Sequence, residues 1–266
     1  MRRLEGKVAI VTGGAMGMGF GSAEEMAQEG AKVALVDYSD TVFSAANKLG
    51  SKGHDVSAFK VDVRNLNELQ KAYEQVYQKH GKIDILVNAA GIGTVKLFHE
   101  VTEEYIDNYI AVNFKGTWNS CKAVIPYMMQ SKYGKIVNFG SITGPLVADP
   151  GMTSYAATKG AIMAFTKALA VEIAHLNITV NAILPGMTDT PMAQKSFKEA
   201  CSENPKKIEE AVAASVPMKR LGTIKEAGRI AVFLASEDSG YVTGTHIVCD
   251  GGSSIPETPG TGWSPS

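Results

Sequence analysis

Short apolar runs rich in β-branched residues alternate along this chain with longer stretches in which apolar residues return every three or four positions. The first pattern marks strands buried on both faces, the second amphipathic helices. Strands are predicted at Lys7–Thr12, Lys32–Val36, Asp55–Lys60, Ile83–Val87, Lys135–Phe139, Ile178–Leu184 and Thr245–Val248, with helices such as Gly17–Gly30, Leu66–His80 and Tyr155–His175 between them. This alternation, uninterrupted by a Pro/Ser-rich linker, predicts an α/β fold: one doubly wound sheet of seven parallel strands with helices on both faces, a single domain over residues 1–252. Two segments break the rhythm. Met187–Pro217 is an insertion after the sixth strand, expected to form a substrate-binding loop, and the Pro/Gly/Ser-rich tail 253–266 carries no periodicity.

Composition narrows the partners. With 26 basic against 27 acidic residues the chain has a net charge of -1, which gives no basis for nucleic acid or an anionic membrane as a main partner. The apolar run after Met1-Arg2-Arg3 extends only from Val8 to Val11, too short for a signal sequence, and no stretch approaches a membrane span. Cys121, Cys201 and Cys249 lie far apart without ligand spacing, so free thiols in a reducing cytoplasm and no metal site are expected.

The chemistry is concentrated at two places. Gly13, Gly17, Met18 and Gly19 lie between the first strand and the first helix, where backbone can approach a pyrophosphate and a helix N-terminus presents NH groups. Asp37 ends the second strand; a carboxylate there accepts ribose hydroxyls and repels a 2′-phosphate, which points to NAD, although it could instead cap the next helix. Tyr155 and Lys159 are four apart on a predicted helix, so an ammonium shares a face with a phenol and can favour its ionised form.

Together these residues resemble the short-chain dehydrogenase/reductase family. Thr12-Gly13-x-x-x-Gly17-x-Gly19, Asn88-Ala89-Ala90-Gly91, Asn113, Ser141, Tyr155-x-x-x-Lys159 and Pro185-Gly186-x-x-x-Thr190 stand in family order over nearly the whole chain. Val216-Pro217-Met218-Lys219-Arg220-Leu221 and Asp250-Gly251-Gly252-Ser253-Ser254 are similar to the bacterial UcpA-like oxidoreductases. Two positions depart from the family pattern: Ala89 replaces a second asparagine and Gly140 replaces a second serine.

The resemblance implies a set of roles. Tyr155 is the proton donor and acceptor, Ser141 binds the carbonyl oxygen, and Lys159 binds the nicotinamide ribose and lowers the phenol pKa. Asn113 holds a relay water, unless it merely caps a helix, and Ser141 could be only a turn residue. Asn88 braces the sheet beside Ala89 and Gly91; Asp62 and Val63 flank adenine; Pro185, Gly186, Thr188 and Thr190 form the loop over the carboxamide and phosphate. A homotetramer through the Tyr155–His175 helix and its predecessor is implied as well.

The expected activity is NAD(H)-dependent interconversion of a secondary alcohol and a ketone. Met152, Met187, Met192, Ala193, Phe197, Ile208, Val212 and Met218 suggest an apolar, adaptable wall and thus a bulky alicyclic substrate such as a hydroxysteroid or bile acid. Lys195, Lys198, Lys206 and Lys207 could attract an acid group or form a solvated helix face, and Trp263 could cover the site. The alternatives are a dehydrogenase of a small polyol or 3-hydroxyacyl compound, and a non-catalytic NAD-sensing protein.

Overall fold

The seven apolar runs pair in parallel, in the order β3-β2-β1-β4-β5-β6-β7, in a computed structural model that describes residues 2–256. The strands are β1 Val8–Thr12, β2 Lys32–Asp37, β3 Val56–Lys60, β4 Ile85–Asn88, β5 Gly134–Phe139, β6 Ile178–Pro185 and β7 His246–Cys249. The five inner strands are almost wholly buried, whereas β3 and β7 at the edges are half-exposed. That is why the inner ones read as unbroken apolar runs. β4 starts later than the pattern suggests because the Asp84 carboxylate accepts the Val8 amide at 2.8 Å, taking over from a backbone carbonyl just before the strand begins.

Helices α1 Gly17–Gln28, α2 Thr41–Gly50 and α9 Ile224–Ala235 cover one face, over a core that includes Val11, Leu35, Val87 and Ile183. On the other face α3 Leu66–His80, α5 Gly116–Ser131 and α6 Thr153–Ile173 pack on Ile10, Leu86, Ile136 and Val180. α1 and α9 cross so closely that a Cβ on Gly21 would lie 2.5 Å from the Ile224 carbonyl oxygen and one on Gly228 2.7 Å from that of Gly21. No helix among the described residues is long and apolar enough to cross a membrane.

After β3 the chain returns to place β4 beside β1, on the side away from β2. The connections after β1 and β4 therefore diverge and open a crevice at the carboxyl ends of the strands. Into its rim runs α4 Glu103–Tyr109, which continues through a π-helical turn, Ile110–Lys115, into α5.

The 187–217 segment is a helical hairpin, not a loop. Thr190 caps α7 Pro191–Ala200 and Asn204 caps α8 Pro205–Ser215, each with proline in the first turn, where its missing NH costs nothing. Buried side chains are few in the pair: Phe197 in α7 and none in α8. The expected tail also begins later than Ser253, because Asp250 accepts the Ser254 amide at 2.8 Å and the Ser253 hydroxyl reaches the Asp250 carbonyl at 3.0 Å. Trp263 lies outside the described residues.

Candidate active site

Every segment singled out by its glycines, hydroxyls or carboxylates ends at the same edge of the sheet. Gly13 follows β1 with φ +66°, and a Cβ there would meet the backbone of Ala89 and Ala90 at 2.7–2.8 Å. Gly19 has no room either, its Cβ position falling onto the Gly13 carbonyl oxygen. These two glycines let the turn, the end of β4 and α1 stack backbone to backbone. Gly17 differs. It too has positive φ, +57°, but its nearest neighbours, Thr190 and Pro191, are 3.9 Å from the Cβ position. The open side of Gly17 faces the start of α7, where Thr190 stands.

The N-terminus of α1 has no side-chain cap and no acidic residue in its first turn, whereas α3, α7, α8 and α9 are capped by Asn65, Thr190, Asn204 and Thr223. Free amide groups and the positive end of the helix dipole suit a pyrophosphate at this spot. Asp37, buried at the end of β2, accepts the Ala15 amide at 3.2 Å and the Ser39 amide at 3.0 Å. It is thus tied to the glycine turn and does not cap α2, whose N-cap is Asp40. These residues fit a dinucleotide whose adenosine ribose lies beside a carboxylate.

At the adenine end the correspondence is partial. Asp62 is held by Arg64 through four hydrogen bonds, the closest at 2.6 Å, and this guanidinium keeps its carboxyl below the usual range. Val63 is buried beneath α5, where a Cβ on Gly116 would lie 2.6 Å from its Cγ2. Its side chain is core packing, so only its backbone is available to a base, and its carbonyl already accepts Asn119 at 3.1 Å.

Asn88 donates to Asn138 across β4 and β5 at 2.9 Å, while Asn138 donates to Thr166 on α6 at 2.9 Å. Asn138 and Thr166 carry no sequence signal that sets them apart; only the strand register aligns them. Gly186 follows β6 and packs against the turn after β7, with its Cβ position 2.6 Å from the Asp250 Cβ. Thr188 bonds the Gly186 carbonyl at 3.2 Å, and Pro185 receives the Ile142 amide at 3.1 Å, linking the loop after β6 to that after β5.

The four catalytic candidates come together at this edge. The Ser141 hydroxyl oxygen accepts the Thr143 amide at 3.1 Å, a turn contact that leaves its hydrogen free, and it faces the Tyr155 phenol. Lys159, buried, donates to the Phe139 carbonyl at 2.8 Å with its ammonium 5.5 Å from the Tyr155 ring centroid. Burial pushes the lysine down to about 8. The tyrosine, also desolvated, is pushed up, with the Ser141 contact offsetting part of the rise. Burial is the largest cause for both groups, and the lysine ammonium is engaged with a backbone carbonyl. A lysine near 8 can nevertheless exchange its proton close to neutrality.

Asn113 sits inside the π-helical turn rather than at a cap. Its side chain accepts the Ile92 amide at 2.8 Å and donates to the Ile92 carbonyl at 3.0 Å and to Thr158 at 3.2 Å. With both amide hydrogens so engaged, the groups left to a relay water are one lone pair of Oδ1 and the Asn113 carbonyl, which the Thr117 hydroxyl shares at 2.9 Å. Gly91 lies above this group, its Cβ position 3.3 Å from Asn113 Oδ1 and 3.8 Å from Lys159 Nζ. Gly93, which sequence reasoning passed over, is wedged between the catalytic ring and the hairpin: its Cβ position is 3.3 Å from Tyr155 Cε2 and 3.0 Å from Met192 Sδ.

Comparison with known proteins agrees with this geometry. A sequence model described as Enoyl-(Acyl carrier protein) reductase, adh_short_C2, matches residues 13–254. The oxidoreductase UcpA of Salmonella typhimurium is 44% identical over 262 residues, covering 98% of this chain and 100% of that protein. The 3-oxoacyl-(acyl-carrier-protein) reductase FabG of Thermotoga maritima is 40% identical over 94% of this chain and 98% of its own. Among solved structures, levodione reductase superposes with a TM-score of 0.90 at 30% identity, over 95% of this chain and 99% of that one. Aldohexose dehydrogenase of Thermoplasma acidophilum gives 0.88 at 28% identity, over 100% of this chain and 99% of that one. A glycine turn at the first strand, a hydroxyl facing a phenol beside a buried lysine, and likenesses that run over almost every residue lead to one assignment: the chain belongs to the short-chain dehydrogenase/reductase family.

Proposed function

We propose that this protein is an NAD(H)-dependent oxidoreductase that interconverts a secondary alcohol and a ketone. The observation that carries the reading is the convergence of the Ser141 and Tyr155 hydroxyls with Lys159 behind them. NAD(H), when bound, gives or takes the hydride at the carbonyl carbon. Tyr155 gives a proton to the carbonyl oxygen during reduction and takes it back during oxidation, Ser141 holds that oxygen, and Lys159 resupplies the proton. A protein that only sensed the nucleotide has no use for this arrangement.

Asp37 supports NAD over NADP, since a 2′-phosphate would meet a buried carboxylate. Around the mouth of the crevice Val95, Leu97, Phe98, Leu146, Met187 and Met192 are exposed. Such a rim favours a bulky apolar ring system, a hydroxysteroid or bile acid being our preferred class. Of the four hairpin lysines two are engaged in ion pairs, Lys195 with Glu199 at 3.7 Å and Lys206 with Glu210 at 3.9 Å, which weakens their part in an acid-binding role. The second reading, a 3-hydroxyacyl or sugar alcohol dehydrogenase, draws on the likeness to FabG and to aldohexose dehydrogenase.

We further propose a cytoplasmic homotetramer. Phe114 on the π-helical turn, Trp118 on α5 and Phe165 on α6 form an aromatic cluster, with Trp118 and Phe165 centroids 5.0 Å apart, and Trp118 and Val171 are exposed. Loss of NADH absorbance across steroid ketones, small polyketides, 3-oxoacyl thioesters and sugars tests the function. Highest kcat/KM on a bulky cyclic ketone supports it; turnover confined to small polar carbonyls transfers the assignment to the second reading; no turnover with intact NADH binding leaves the sensor.

A further inference from the structure

Segment 92–94, which carries Gly93 to the catalytic tyrosine, is held by side chains of one helix. Asn113 takes both backbone groups of Ile92. Tyr109 and Tyr105, four residues apart, take those of Thr94. The Tyr109 hydroxyl accepts the Thr94 amide at 2.6 Å and lies 2.9 Å from the Thr94 hydroxyl, which is itself 2.8 Å from the Tyr105 hydroxyl. The Thr94 carbonyl accepts from both phenols, at 3.1 and 3.2 Å. Backbone polar groups in a connecting segment normally go to water or to neighbouring backbone. Here every polar group of Thr94 ends on two tyrosines.

We propose that Tyr109, with Tyr105 as its partner, is a positioning residue for the substrate: it clamps Thr94 and so sets the clearance between Gly93, the Tyr155 ring and Met192. That clearance is small, 3.3 Å to the ring and 3.0 Å to the thioether from the Gly93 Cβ position. Beyond Thr94 the segment continues into exposed Val95 and then to Lys96, whose amide donates to the Gly151 carbonyl at 2.9 Å. The clamp therefore fixes one wall of the crevice from Ile92 to Lys96. Tyr109 is 2% exposed, stacks on Tyr105 at 4.9 Å, and its ring would pack as well without the hydroxyl. Burial pushes its phenol up to about 12, so it stays neutral and offers no rival acid to Tyr155.

The inference rests on the ketone reductase reading, and its test separates the two. Tyr109→Phe and Thr94→Val are compared with the wild-type protein on NADH and a series of cyclic ketones from cyclohexanone to a steroid ketone. The expected result is a KM for ketone raised about 3- to 10-fold, the range of one or two neutral hydrogen bonds. kcat should stay within about 3-fold, NADH affinity and the pH profile should not move, and the double variant should be no worse than the poorer single one. Hydrogen exchange, followed in parallel, should show faster exchange of the Ile92–Lys96 amides in each variant. A side chain needed for stability alone would lower the unfolding midpoint and leave KM in place, which overturns the proposal. Unchanged exchange at Thr94 overturns it as well, and so does faster exchange without a KM effect. If Tyr109→Phe does not fold, Thr94→Val on the crevice side of the same contact decides. Wild-type protein inactive on every ketone would refute the function while the exchange data still report on the clamp.

Discussion

Lys159 should make the folded protein less stable at neutral pH than a neutral side chain of the same length, and the effect should disappear in alkali. Its pKa falls from the ordinary 10.5 to about 8 because the ammonium is buried. At about 1.4 kcal/mol per pH unit, a difference of 2.5 between those two values amounts to roughly 3 kcal/mol against the charged form at pH 7. Lys159→Met removes that cost but leaves the Phe139 carbonyl, now bonded at 2.8 Å, without its donor. An unpartnered buried carbonyl costs about 1–3 kcal/mol, so the variant should be between equal in stability and about 2 kcal/mol more stable at pH 7. The sign of the pH dependence follows from a depressed basic group. Between pH 8 and 10.5 the unfolded chain binds the proton that the folded chain has lost, so wild-type stability gains with rising pH relative to the variant. Urea unfolding of both proteins at pH 7 and pH 10, at equal protein concentration and ionic strength and without nucleotide, reads the effect as a difference of differences. The advantage of the methionine variant should shrink by about 2–3 kcal/mol at the higher pH. The same gap at both pH values would refute a buried, pKa-shifted lysine. The variant should also lose turnover, because the proton supply to Tyr155 goes with the ammonium.

Tyr155→Phe should cost about 10²- to 10⁴-fold in kcat with NADH affinity nearly intact by fluorescence titration, and a variant keeping most of its rate removes the phenol from the mechanism. Asp37→Ala should narrow a wild-type preference for NADH over NADPH in kcat/KM; wild-type protein using NADPH equally well would count against the carboxylate argument. Met192→Ala should raise kcat/KM for bulky ketones more than for small ones, since its sulfur sits beside Gly93 at the catalytic ring. Gly21→Ala should destabilise by about 2 kcal/mol or more, because backbone stands 2.5 Å from the new Cβ, whereas Gly160→Ala, with no other segment among the described residues within 4 Å, should stabilise by about 0.5–1 kcal/mol; calorimetry of the pair checks the α1 and α9 crossing.

Much of this protein is legible in its sequence because the signals are local. Strand positions follow from apolar runs that must be buried on both faces, and Gly13 and Gly17 declare a turn by the positive φ that glycine adopts freely. The order of Gly13, Asn113, Ser141, Tyr155 and Lys159 carries the family, since the topology of the sheet brings successive strand ends and helices to the site in a fixed succession. Tertiary structure decided what depends on contacts between distant segments. Val63 reads as an adenine neighbour, yet α5 packs over its side chain. The lysine and the phenol read as a pair from their spacing, whereas the burial that pushes the lysine down to about 8 follows only from the packing around it. Tyr109 and Thr94 look like ordinary helix and loop residues until the fold brings their polar groups within 2.6–2.9 Å. Periodicity reports which face of an element is buried; which atom meets which, and in what dielectric, is set only when the elements pack.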